Sequence, residues 1–201
     1  MILKQATERD FDAVMHVIED GRASLAALGI DQWQGGGPNE AMVHADIAAG
    51  CTYMAVADED DARAATPGAS AVSPGDVLGT LAFVEGGEAD YDNVTSGAWL
   101  TASPNTPQAA AAIGEPVRYA TLHRVAVSAA AKRRGVATFL IERSADLARE
   151  RGLKSLRADT HEGNIPMQRT FEKLGFSRCC DIRLTNPLEP TKKRIGYERV
   201  L

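Results

Sequence analysis

Several common signatures are missing from this chain, and each absence narrows its class. No apolar run approaches the roughly 18 residues that a bilayer-crossing helix needs, so no membrane association is expected. The opening stretch, Met1 to Asp10, turns acidic at once and has no long apolar core, so it does not read as a secretory leader. Cysteine is scarce, with only Cys51, Cys179 and Cys180. Adjacent cysteines on a strand point to opposite faces and pair poorly, and an odd, sparse set suits a reducing compartment. The expected location is cytoplasmic.

What is present is ordinary for a globular protein: 201 residues, 44% apolar and 24% charged, enough for one α/β domain spanning 1–201. The net charge of −5 is unevenly spread. Residues 117–157 hold ten Lys/Arg against three acids, while residues 1–100 hold 17 acids against four bases. A basic island inside an acidic chain fits a small anion held locally. Nucleic acid, transfer RNA included, is not an expected partner, because phosphate-backbone binding wants a broad basic face.

Periodicity predicts the elements. A short strand at 1–6 is followed by a helix from an N-cap at Thr7, with Phe11, Val14, Ile18 and Leu25 at helical spacing, to about Leu28. Asn39 caps a second helix to about Ala49. Strands are predicted at 51–57, 77–85, 117–127, 153–160, 176–184 and 194–200. Helices are predicted at 136–151, where Val136, Leu140 and Leu147 share a stripe, and from Asn164 to Gly175. Low-complexity loops rich in Ala, Asp, Gly and Pro are predicted near 58–76 and 101–116. The result is a mixed α/β (α+β) domain with a βαβ-like second half.

The most informative stretch runs from Leu122-His123-Arg124-Val125-Ala126-Val127 into Lys132-Arg133-Arg134-Gly135-Val136-Ala137. A strand enters a short loop, and the loop opens a helix. The first N–H groups of a helix lack intrahelical partners, and its dipole favours an anion there. Gly135 lets the backbone approach a phosphate, Ala137 leaves room beside it, and Lys132, Arg133 and Arg134 add positive charge. The loop is not a Walker loop, because no G-K-[ST] follows, and it is not a dinucleotide fingerprint, because two of three glycines are missing. Taken alone, a plain tight turn is the favoured reading.

Context favours a ligand loop. The stretch resembles the Arg/Gln-x-x-Gly-x-Gly/Ala motif of the GNAT superfamily of N-acetyltransferases, with Lys132 departing from Arg/Gln. Asn164-Ile165-Pro166-Met167-Gln168-Arg169-Thr170-Phe171-Glu172-Lys173-Leu174-Gly175-Phe176 is similar to that family's helix ending in Leu-Gly-Phe. The resemblance implies a central, mixed but mostly antiparallel sheet of six to seven strands flanked by about four helices. It implies transfer of an acetyl group from acetyl-CoA to a primary amine of a small molecule or peptide, with no metal.

It also implies roles. Backbone groups of Val125, Ala126 and Val127, on the family's fourth strand, would pair with the pantetheine arm. Amides from Arg133 through Gly135, Val136, Ala137 and Thr138 would hold the pyrophosphate, with Lys132 and Arg134 beside them. Asn164 would touch the pantetheine or thioester region. An amine must be neutral to attack, and roughly 0.04% of a lysine-like amine is neutral at pH 7. A base is therefore useful, and His123, then His161, are the candidates. Phe171 stands where many members carry a tyrosine acid. With Lys132, it keeps open the alternative of a degenerate domain that binds acyl-CoA as a sensor or scaffold. Trp33, Tyr91 and Trp99 are candidate acceptor-pocket residues. The acids of residues 7–50 would favour a cationic amine if they line the groove. Arg124 is a candidate for a buried ion pair, and the last strand is a candidate edge at which a second copy would pair to form a homodimer.

Overall fold

The computed structural model describes residues 1–64, 70–86, 88–102 and 118–201. The strands are β1 (Ile2–Gln5), β2 (Thr52–Val56), β3 (Val77–Glu85), β4 (Val94–Gly97), β5 (Tyr119–Val127), β6 (Ser155–Thr160), β7 (Ser177–Arg183) and β8 (Lys193–Val200). The helices among the described residues are α1 (Phe11–Ala27), α2 (Glu40–Ala48), α3 (Glu59–Arg63), α4 (Val136–Glu150) and α5 (Ile165–Lys173). One eight-stranded sheet runs in the order β1-β2-β3-β5-β6-β8-β7-β4. Every neighbouring pair is antiparallel except β5 and β6. Among the described residues no helix is long and apolar enough to cross a membrane.

Alternation along β2 divides the core. Tyr53 and Ala55 face α4, whose Val136, Leu140, Ile141, Ala145 and Ala148 are buried with Leu81, Phe83, Leu122 and Leu156. Met54 and Val56 face the other way, onto Val14, Val17 and Ile18 of α1 and Val43 and Ile47 of α2. Each fully buried Leu or Ile contributes about 1.5–3 kcal/mol. Gly79 of β3 admits α4: a Cβ there would lie 2.6 Å from Val136 Cγ1 and 2.9 Å from the Ala126 carbonyl.

The expected sheet of six to seven strands is corrected to eight. The missed strand, β4, has all four residues exposed and only β7 beside it, so it carries no alternating apolar signal. The C-terminal strand is not an edge. β8 lies between β6 and β7, and the edges are β1 and β4, so an edge pairing through β8 is ruled out. The segment near 58–76, expected as loop, holds α3. Asp58 caps it through the N–H groups of Asp60 and Asp61 at 3.0 Å, and Asp61 returns a bond to the Asp58 N–H. Val117, expected to begin β5, and most of the 101–116 loop lie outside the described residues.

Two irregularities shape β5. Its parallel register with β6 pairs Tyr119–Leu122 with Ser155–Ala158 and stops there, although both strands continue. On its other side Thr80 faces Ala126 and Ala82 faces His123, so Arg124 and Val125 together oppose Leu81. This is a β-bulge, which takes its extra residue out of the ladder and kinks the strand. Arg124 carries the turn at φ +53°.

Candidate active site

The splay between β5 and β6 opens into a cavity of about 870 Å³. One end is walled by Val125, Ala126, Val127, Lys132, Ala137 and Asn164. Pro166, Met167, Thr170 and Phe171 complete that wall from α5. The other end is walled by Glu88, Tyr91, Asp159, Glu189 and Arg194, and Trp33, in one apolar cluster with Ala126, lies between the two. His123 lies on the wall between Leu122 and Arg124.

At the first end, α4 begins at Gly135, a left-handed N-cap at φ +77° with no side-chain oxygen capping the helix. A Cβ at Gly135 would meet nothing within 4 Å. Open space beside an uncapped helix start leaves room for an anion. Lys132 and Arg133 are exposed here. Arg134 is placed differently: its guanidinium donates to the carbonyls of Asp61, Ala64 and Ser70 and ties α3 and the chain after it to this loop. Val136 turns its side chain into the core, leaving only its backbone toward the loop. Asn164 caps α5 by accepting from the Met167 N–H at 3.3 Å and donates to Thr160 Oγ1 at 3.1 Å. Phe171 is buried against Phe176 and Tyr197, each with ring centroids 5.3 Å away, so no phenol stands at this position.

At the second end, His123 Nε2 lies 3.1 Å from Glu88 Oε2. The hydrogen bond from His123 holds the Glu88 carboxyl below its ordinary range, against the opposing effect of burial. Tyr91 donates its hydroxyl to Asp159 at 2.9 Å. Burial, then the Asp159 charge, pushes that hydroxyl well above the usual phenol range, so its proton is held. Arg194 is fully buried, with Glu189 at 2.5 Å and Asp159 at 3.8 Å. Burial raises the Glu189 carboxyl, and the Arg194 charge offsets part of that rise. Glu189 also accepts from the Trp33 N–H at 3.4 Å. Among the described residues no group of His, Cys, Asp and Glu is arranged to hold a metal ion.

The structure separates the two histidine candidates. His161 does not wall the cavity. Its Nδ1 accepts from the Gly163 N–H at 3.0 Å and its Nε2 faces Asp31 at 3.6 Å, while Asp31 accepts from Thr191 Oγ1 at 2.6 Å. His161 thus clamps the loop after α1 to the end of β6. Trp99 also stands back from the cavity, stacked behind Tyr91 at 4.9 Å and donating to the Tyr91 carbonyl at 2.8 Å. Trp33 and Tyr91 reach the wall.

Two charge expectations are revised. The basic island is dispersed by the fold: Arg118 and Arg151 pair with Glu85, Arg143 and Arg149 with Asp146, Arg157 with Glu198, and Arg124 with Asp46. Of residues 7–50, only Asp46 brings an acid to the cavity wall, and Arg124 neutralises it. The wall's acids are instead Glu88, Asp90, Asp159 and Glu189, which come from three separate segments. Glu88, Asp159, Glu189 and Arg194 had not been expected as site residues. Of these, only Asp159 carries a sequence signal, standing two residues before His161 at the end of a predicted strand.

A family model for the acetyltransferase (GNAT) family matches residues 56–176. No curated protein matches the chain. Among solved structures, an acetyltransferase of the GNAT family from Streptococcus agalactiae is 28% identical, covers 100% of this chain and 95% of its own, and superposes with a TM-score of 0.75. A ribosomal-protein-alanine N-acetyltransferase from Brucella melitensis is 16% identical over 100% of both chains, with a TM-score of 0.61. The NatC complex bound to Gag peptide and CoA contains a chain 13% identical, with a TM-score of 0.62 over 100% of this chain and 98% of that one. The last two likenesses speak for the fold alone.

Proposed function

The chain belongs to the acetyltransferase (GNAT) family, and on that premise we propose that it moves an acetyl group from acetyl-CoA to a primary amine of a small molecule or peptide, with His123 as the base. One observation carries this reading: a single cavity joins the bulged edge of β5, the uncapped start of α4 and His123.

Acetyl-CoA, when bound, supplies a thioester acyl group. The residues present fit it. The start of α4 has no side-chain cap, there is open space at Gly135, and Lys132 and Arg133 are exposed beside it, an arrangement that suits phosphate. The edge of β5 beyond Leu122 has no β6 register partner, and an extended amide-bearing arm can pair there as an added strand. The Val125 amide, in the bulge, is the candidate donor to an oxyanion. Phe171 offers no proton, but a thiol of pKa near 8.5 makes a tolerable leaving thiolate without one.

The acceptor end favours a cationic amine. Glu88, Asp159 and Glu189 face the cavity with Arg194 as the permanent counter-charge. An arriving ammonium is drawn there and must then lose a proton, which His123 is positioned to take.

The test is acetylation of an amine panel: diamines, peptides with basic termini and neutral amino acids. Turnover with cationic members is expected, with kcat/KM falling by about 10²-fold in His123→Ala. Acetyl-CoA binding without turnover on any amine would contradict the enzyme reading, and neutral amino acids outperforming the cations would contradict the acceptor class.

A further inference from the structure

We propose that Glu88 is a positioning residue for the base, fixing the His123 tautomer so that Nδ1 is the atom that receives the substrate's proton. This rests on the reading of His123 given above.

The geometry defines which nitrogen does what. An ionised carboxylate only accepts hydrogen bonds. Glu88 Oε2 sits 3.1 Å from His123 Nε2, so the neutral ring carries its hydrogen on Nε2. Nδ1 is left with the lone pair, and no described residue hydrogen-bonds to it. The carboxylate is itself held. Glu88 stands just before the turn Ala89–Asp92, its Oε1 accepts from the Asp90 N–H at 3.5 Å, and its own N–H donates to the Tyr119 hydroxyl at 3.3 Å. Glu88 is about one-third exposed and His123 about one-fifth, so both are reachable from the cavity.

The remaining charged groups around the ring are already committed. Arg124, next on β5, is paired with Asp46. Tyr91, its ring centroid 6.0 Å from that of His123, donates a hydrogen bond to Asp159. Asp90 accepts from Thr185, and Arg194 is engaged by Glu189 and Asp159. Glu88 alone among them bonds the imidazole.

The step balances simply. An N–H bond of the bound ammonium breaks, its electron pair stays on the amine nitrogen, and the proton moves to Nδ1. The resulting imidazolium, with hydrogens on both nitrogens, is stabilised by the Glu88 carboxylate and later returns the proton to water.

Long-range ¹H–¹⁵N NMR of His123 in the full-length protein reads the tautomer without any turnover. The wild type is expected as the Nε2–H form, and Glu88→Ala as a mixture. A wild-type ring protonated on Nδ1 overturns the proposal. Kinetics of Glu88→Gln on the best amine form the second arm. There kcat is expected to fall about tenfold or more, with acceptor KM changed less than about threefold. Glu88→Asp should restore part of the rate. A raised KM at unchanged kcat overturns the proposal and makes Glu88 a direct contact for the amine. If His123→Ala keeps full activity, the base reading fails, whatever tautomer the NMR shows.

Discussion

Tyr91 and Asp159, brought together from the β3–β4 connection and the end of β6, share a hydrogen bond of 2.9 Å at the cavity wall. The phenol is buried and its proton is bound to a carboxylate, so Tyr91 is a wall and not an acid. Tyr91→Phe is therefore expected to leave the shape of the alkaline limb of the kcat profile unchanged. It should lower stability by about 1–3 kcal/mol, the cost of leaving a carboxylate short of a partner. A pH–rate series and a denaturant titration check the two parts.

Arg157 and Glu198 make the second linkage. Their side chains are fully buried 3.2 Å apart, and the Arg157 guanidinium lies over Tyr119 at 4.0 Å and Trp99 at 4.6 Å. Glu198 also accepts from the Leu100 N–H at 2.6 Å and the Thr101 N–H at 3.2 Å, so it pins the segment after β4 to the sheet. Glu198→Ala strands a buried guanidinium and should cost about 3–5 kcal/mol. The double variant Arg157→Met with Glu198→Leu should recover only part of that loss, because the Leu100 and Thr101 N–H groups and the Ser155 hydroxyl lose their acceptor, as measured by chemical denaturation.

The thiols should be slow to react. Burial pushes Cys179 up to about 11 and Cys180 up to about 12, and all three cysteines are free. Thiolate is the reactive form. At pH 8 the native protein should label with iodoacetamide at Cys179 roughly 10²-fold or more slowly than an ordinary thiol of pKa near 8.5. The sign for stability follows: both folded values lie above the unfolded one, so the thiols' contribution is complete below about pH 8.5 and falls as pH rises toward 12. Time-resolved labelling in native and denatured protein checks the first statement, and melting temperature against pH checks the second.

Much of this was legible in the order of residues, for local reasons. The 3.6-residue stripe of Val136, Leu140 and Leu147, the glycine before it and the Asn164 cap all act within a few positions of themselves. The charged groups at the His123 end of the cavity were not legible. Glu88, Asp159, Glu189 and Arg194 sit on separate segments and meet only because the sheet order sets β6 next to both β5 and β8. The basic island between 117 and 157 misled for the same reason. Adjacent charges in the chain, such as Arg118, Arg124 and Arg134, go to different partners once the strands and helices are placed. His161 is the second candidate by sequence because it follows a predicted strand, yet the loop after α1 claims its ring and the cavity claims that of His123.

The most direct test of the central claim is a thermal-shift titration with acetyl-CoA and free CoA on the wild type and on Gly135→Asp. Aspartate tolerates the left-handed conformation at this position better than most residues, so the variant should fold, while its carboxylate stands where the phosphates are expected. The melting temperature of the wild type is expected to rise with ligand concentration, and that rise should be lost in the variant. No shift with either ligand, or an equal shift in both proteins, would contradict a donor site at the junction of β5 and α4.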